Sequence, residues 1–146
     1  MDEIKNKNQL RFEAIKKLNL PLGQYAITGS GALGIRNLRE INDIDLIVTL
    51  ELWKSLAATY GVTDTNSVEK ITFPKEAIEA FREGSFYAAP KDEDAPTVAE
   101  RIAKAEVIDG LPFESLEHVL YYKQKMGREK DLKDVQAIEE WLKSSS

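Results

Sequence analysis

Along the 146 residues, short apolar runs alternate with stretches in which hydrophobic side chains recur at helical spacing. Ile4, Leu10, Ile15 and Leu18 fall near one helical face among Lys and Asn, and Pro21 closes the segment, which predicts an N-terminal helix within residues 1–20. Tyr25-Ala26-Ile27-Thr28 reads as a short strand running straight into glycine, and Gly29-Ser30-Gly31 turns the chain. Residues 32–39 have room for about two helical turns before Asn42. Residues 43–49, D-I-D-L-I-V-T, form a strand whose first half alternates acid with aliphatic. Thr49 caps a helix with Leu52, Trp53, Leu56 and Tyr60 on its apolar face, and Gly61 ends it. Two β-rich pieces, Val68–Phe73 and residues 77–81, flank Pro74. The acidic residues 92–94 read as a solvated loop before a helix over 96–104, and Glu106–Ile108 as a further short strand. Ser115 caps a helix carrying Leu116, Val119, Leu120 and Tyr122; Gly127 breaks it. The last helix, over 129–142, carries Leu132, Val135, Ile138 and Trp141.

These elements predict an α+β fold, a small mixed sheet flanked by helices. The expected layout is a single domain over 1–146, with an N-terminal helix (1–20), an α/β core (25–110) and a C-terminal helical pair (115–142). Composition narrows the classes further. At 42% hydrophobic and 31% charged residues the chain is an ordinary globular protein, and with no cysteine it has no disulfide, thiolate zinc site or cysteine nucleophile. Its net charge of −5 has the wrong sign for holding nucleic acid by bulk electrostatics, so any polyanionic ligand needs a local basic patch. The surplus acid lies in the middle of the chain. No apolar run approaches the ~20 residues of a membrane span, and MDEIKNKNQL lacks a signal peptide's hydrophobic stretch. No membrane partner and a cytoplasmic location are the expectation.

Residues 29–34 satisfy G-x-G-x-x-G after a strand, so a dinucleotide site is the first possibility to test. It fails on spacing: only eight residues separate Gly34 from Asp43, and the acids come at the start of the second strand instead of its far end. A second pattern accommodates the same residues: strand, Gly29-Ser30, twelve residues, then Asp43-Ile44-Asp45-Leu46 opening a strand. An i, i+2 pair on a strand projects both carboxylates from one face, about 6.5 Å apart at Cα. Two hard oxygen ligands so placed suit Mg²⁺ with nucleotide phosphates. Gly29 and Gly31 allow close backbone approach, while the N–H groups after the turn and the Ser30 hydroxyl can cradle phosphates. The plain alternative is an ordinary tight turn beside two solvent-facing acids. Like charges a strand-step apart argue against it.

This arrangement, over residues 25–48, resembles the signature of the polymerase-β-type nucleotidyltransferase superfamily. A looser likeness covers residues 116–141, where H-V-L-Y-Y-K-Q-K-M-G-R-E-K-D-L-K-D looks like the closing helices of small bacterial nucleotidyltransferases. The resemblance implies a nucleotidyltransferase fold, with Mg²⁺, or Mn²⁺ in its place, held by Asp43 and Asp45. It also implies an NTP, ATP before the others, on Gly29, Ser30 and Gly31. Lys123 matches the lysine that reaches the phosphates; Arg128, Lys130 and Asp131 belong to the same motif. Against this, Lys130 and Asp134 form an i, i+4 pair of a kind common on solvated helices. Active members add a third carboxylate, for which Glu79 is the first candidate as catalytic residue, holding the metal or taking the acceptor's proton, with Glu69, Glu76 and Glu106 as competitors. Arg36 can meet phosphate; Arg39 is assigned to structure. His118 reads as packing, since one histidine cannot build a metal cluster.

The activity so implied is transfer of a nucleotidyl group, AMP from ATP, to a hydroxyl of a small-molecule, protein or RNA acceptor, the first two before the third. The alternative is a catalytically weak nucleotide-binding or regulatory module, such as an antitoxin-like partner of a toxin-type protein.

Overall fold

In the computed structural model, which describes residues 2–65, 68–84 and 95–145, the chain is mixed α+β: six helices and one seven-stranded sheet. The acidic loop expected at 92–94 lies outside the described residues. The first helix, α1 (Asp2–Lys17), leads into β1 (Tyr25–Thr28), a single short helix α2 (Ser30–Gly34) and β2 (Ile44–Val48). Helix α3 (Leu50–Tyr60) follows, then β3 (Thr63–Thr65), β4 (Val68–Phe73) and β5 (Ile78–Phe81). After residue 95 come α4 (Val98–Ala103), β6 (Glu106–Ile108), β7 (Leu111–Phe113) and the closing pair α5 (Leu116–Met126) and α6 (Glu129–Ser145).

The strands lie in the order β3-β4-β5-β2-β1-β7-β6. Central β2 is antiparallel to β1 and parallel to β5. Because side chains alternate across a strand, Ile44, Leu46 and Val48 enter the main core with Tyr25, Ile27, Ile71, Phe73 and Phe113 beneath α1 and α3, whereas Ile47 joins Ala26 and α4 on the other face. Asp45, one step from Leu46, is on that second face. A third apolar cluster joins Ala32 and Leu33 of α2 to Leu116, Val119 and Ile138, docking the closing helices beside the glycine turn.

Expected caps form as read: Thr49 Oγ1 accepts from the Leu52 amide at 3.2 Å, Ser115 Oγ from His118 at 3.3 Å, and Gly127 ends α5 in the left-handed region. Four readings change. The helix expected over 32–39 is one five-residue turn from Ser30, because the chain reverses at Asn37 (φ 61°). Leu10 and Ile4 are exposed, and α1 buries Asn8 and Phe12 together with the expected Ile15, spaced four and three apart. Leu132 is likewise exposed while Asp131 and Asp134 are buried, and Tyr60 stays partly exposed, tilted against Phe73. The sheet also runs past residue 110, since β7 adds a strand between β1 and β6.

Candidate functional site

Gly29 sits between β1 and α2 at φ 59° and ψ −134°, a conformation that L residues rarely adopt. A side chain started there would lie 3.7 Å from Asp45 Oδ2, so the turn and the second aspartate abut. Their meeting follows from the β1–β2 register, which sets Thr28 opposite Asp45. Ser30 Oγ donates to the Asp43 carbonyl at 3.0 Å, tying the turn to the residue that opens β2. Asp43 itself precedes the strand and is exposed; Asp45 is half-buried. Gly31 answers a packing need, since a Cβ there would collide with Ile27 Cγ2; Gly34 approaches Ile41 in the same way. On the other side of α2's loop, Asn8 accepts from the Ile41 amide at 2.8 Å and donates to the Arg39 carbonyl at 3.0 Å, fixing the run that delivers Asp43.

Burial pushes the Asp45 carboxyl from 3.8 up to about 6, reinforced by the negative charges of Glu79 and Asp43 and opposed by Lys123 and Lys70. A carboxylate in that setting is a place where added positive charge lowers the energy.

Across from the turn, α5 and α6 bring a lattice of charges to a cleft of about 280 Å³. Thr28, Gly29, Ser30, Asp43 and Asp45 form one wall, and Lys123, Arg128, Lys130, Asp131 and Asp134 the other. Lys123 is buried, its ammonium 2.9 Å from Asp134 and 3.4 Å from Asp131. Arg39 also reaches Asp134 at 2.8 Å, and Arg128 grips Asp131 at 2.6 and 3.1 Å. Burial pushes the Asp131 carboxyl up, but the Arg128 hydrogen bonds and the Lys123 charge outweigh it and hold the group below its ordinary value. The pairing expected between Lys130 and Asp134 is replaced by these contacts, and exposed Lys130 lines the cleft mouth.

Two expected site residues stand elsewhere. Arg36, 5% exposed, donates to the Ala32 carbonyl at 2.8 Å, faces Glu106 at 3.5 Å and lies over the Trp141 ring; it stitches α2 to the sheet edge and closing helices, away from the cleft. Glu79 sits beside Asp45 in the parallel β2–β5 register, on the same face, but its carboxylate binds Lys70 at 2.6 Å and lies outside the cleft lining. Among the described residues no three Asp, Glu or His side chains converge as a metal cage. Of the competing acids, Glu69 pairs with Arg82 and Glu106 with Arg36.

Sequence reasoning missed the cleft's underpinning. Glu114, fully buried just after β7, accepts from Arg101 of α4 and from Thr28 Oγ1, and the Arg101 guanidinium stacks 4.0 Å from the Tyr122 ring centroid. Tyr122 Oη in turn donates to the Pro96 carbonyl at 2.7 Å. Arg101 in the helix 96–104 and Glu114 just before the Ser115 cap stand thirteen residues apart, and nothing in their spacing links them. Compared with known protein families, the chain matches none, and it has no significant match among curated proteins.

Proposed function

We propose that the chain is a Mg²⁺-dependent nucleotidyltransferase that moves a nucleotidyl group, AMP from ATP, to a hydroxyl of a small-molecule or protein acceptor. The observation that carries this reading is the abutment of Gly29 and Asp45, 3.7 Å apart by the measure above, in one cleft with Asp43, Ser30, Lys123 and Lys130. The donor set suits the metal: two hard carboxylates, one of them raised to about 6 by burial and neighbouring negative charge. Asp43 and Asp45 would hold it, and when bound it neutralises phosphate charge and orients the α-phosphate.

The chain's own residues then divide the work. Amides at the start of α2 receive phosphate oxygens, joined by the Ser30 hydroxyl when its proton leaves the Asp43 carbonyl. Lys123, exchanging Asp134 for phosphate, meets the negative charge of the leaving pyrophosphate, and Lys130 and Arg128 extend that positive wall. The acceptor oxygen forms its bond to the α-phosphorus as the bond to the bridging oxygen breaks, pyrophosphate departs, and the hydroxyl proton passes to a cleft carboxylate. A second reading, a nucleotide-binding module such as an antitoxin-like partner of a toxin protein, is favoured by one observation: Glu79 is held by Lys70, which leaves two acids at the turn.

Incubation with ATP labelled at the α- or γ-phosphate, Mg²⁺ and cell extract separates the two. Transfer predicts α-label on an acceptor and γ-label in pyrophosphate, both lost in Asp45→Asn. Nucleotide binding with neither product supports the module.

A further inference from the structure

We propose that Lys70 is the resident counter-cation of this carboxylate face, competing with a divalent cation for Glu79 and thereby setting how tightly the site takes its metal. The inference rests on the reading above and deepens it.

Sheet geometry places the lysine. In β4, Ile71 and Phe73 enter the main core, so Lys70 and Thr72 face the opposite side, where antiparallel pairing sets Thr72 against Glu79. Glu79 lies in register with Asp45 across the parallel β2–β5 pair. Three strands thus carry Lys70, Glu79 and Asp45 along one face. The Lys70 ammonium lies 2.6 Å from Glu79 Oε2 with the side chains 26% and 27% exposed, so water screens the pair only in part. The same ammonium acts on Asp45, opposing the repulsion from Glu79 and Asp43.

An ammonium brings one positive charge and donates hydrogen bonds; a divalent ion brings two charges and gathers several oxygens. Without metal, Lys70 satisfies Glu79 and softens the repulsion at Asp45. When a divalent ion arrives, Glu79 gains by changing partner, and the strength of its tie to Lys70 is subtracted from the affinity for the ion. Lys70 is therefore a positioning residue: it parks Glu79 beside the site and outside the cleft.

Mn²⁺ titrated alone into the full chain, with the free ion followed by electron paramagnetic resonance, reads the site without nucleotide or turnover. Lys70→Met keeps the aliphatic stem and removes the charge; it should bind Mn²⁺ about fivefold more tightly than the wild-type chain. Lys70→Arg keeps the charge and should stay within about twofold of wild type. Lys70→Met combined with Glu79→Gln should lose most of the gain, keeping only the part that Lys70 exerts on Asp45. Lys70→Gln, titrated alongside and checked by circular dichroism, supplies the same comparison if Lys70→Met folds poorly. Unchanged or weaker Mn²⁺ binding on removing the charge, or a gain undiminished by Glu79→Gln, overturns the proposal. The ATP-label experiment fails independently: tighter Mn²⁺ binding without nucleotidyl transfer removes the enzyme and keeps the counter-cation, and transfer with an unmoved Mn²⁺ affinity does the reverse.

Discussion

Asp45 shows how much one side chain's surroundings decide. Its carboxyl titrates near 3.8 in the unfolded chain and near 6 in the fold, so between those values the folded state binds more protons and stability falls as pH rises. Above pH 6 the full cost applies, on the order of 2 kcal/mol after allowing for partial exposure. Asp45→Asn in metal-free buffer should thus melt about 5 °C above the wild-type chain at pH 7. That advantage should vanish near pH 4, where the wild-type carboxyl is protonated in the fold; thermal melts across this range check it, and an Asn variant that melts lower at pH 7 would make Asp45 a structural anchor. Gly31 makes a different demand. Its missing Cβ gives Ile27 its place, so Gly31→Ala should cost about 2 kcal/mol in urea unfolding, as overpacking does. The pair Asp43/Asp45 and the glycines were legible because alternation and turn chemistry are local. Glu79's partner was not, since Lys70 meets it only through strand pairing.

At the scale of elements, the strongly periodic or capped segments could be read from the chain, and those defined by their neighbours could not. Strand β3, Thr-Asp-Thr, has no apolar face of its own, and β7, Leu-Pro-Phe, carries a proline that argues against a central strand. Tertiary pairing overrides both signals: β7 sits between β1 and β6, with Pro112 opposite Val107. In α1 the apolar spacing pointed to Ile4, Leu10, Ile15 and Leu18, of which Ile15 is buried and Leu18 packs on the core, while the buried polar Asn8 joins the inward face because its amide serves the loop before Asp43. Asn8→Ala leaves the Ile41 amide without that acceptor and should cost about 1–3 kcal/mol, measured by urea unfolding. Helix α4, β7 and the end of β1 meet at Arg101, Glu114 and Thr28. Truncating one side of that pair, Arg101→Met, strands a buried carboxylate and should cost about 3–5 kcal/mol; Arg101→Met with Glu114→Gln should recover part of the loss. Full additivity of the two substitutions would show that the residues act separately.

For the molecule as a whole, the closing helices complete a cleft that the sheet begins: the β1–β2 region supplies the glycine turn, Asp43 and Asp45, while α5, α6 and the turn between them supply Lys123, Arg128 and Lys130 together with Asp131 and Asp134. No described helix is long and apolar enough to cross a membrane. The chain carries a net charge of −5, and in that cleft Arg39, Lys123 and Arg128 are paired with Asp131 and Asp134, so an anionic ligand there has to displace carboxylates from these cations. A thermal-shift titration of wild type, Asp45→Asn and Lys123→Ala with Mg²⁺, ATP and Mg²⁺·ATP reads whether the aspartate face and the lysines of the closing helices act together on one metal–nucleotide complex. Mg²⁺·ATP should stabilise the wild-type chain by more than the two components' separate effects summed; Asp45→Asn should abolish this excess, and Lys123→Ala should weaken it. An Asp45→Asn protein that responds to Mg²⁺·ATP as the wild type does would contradict that joint action.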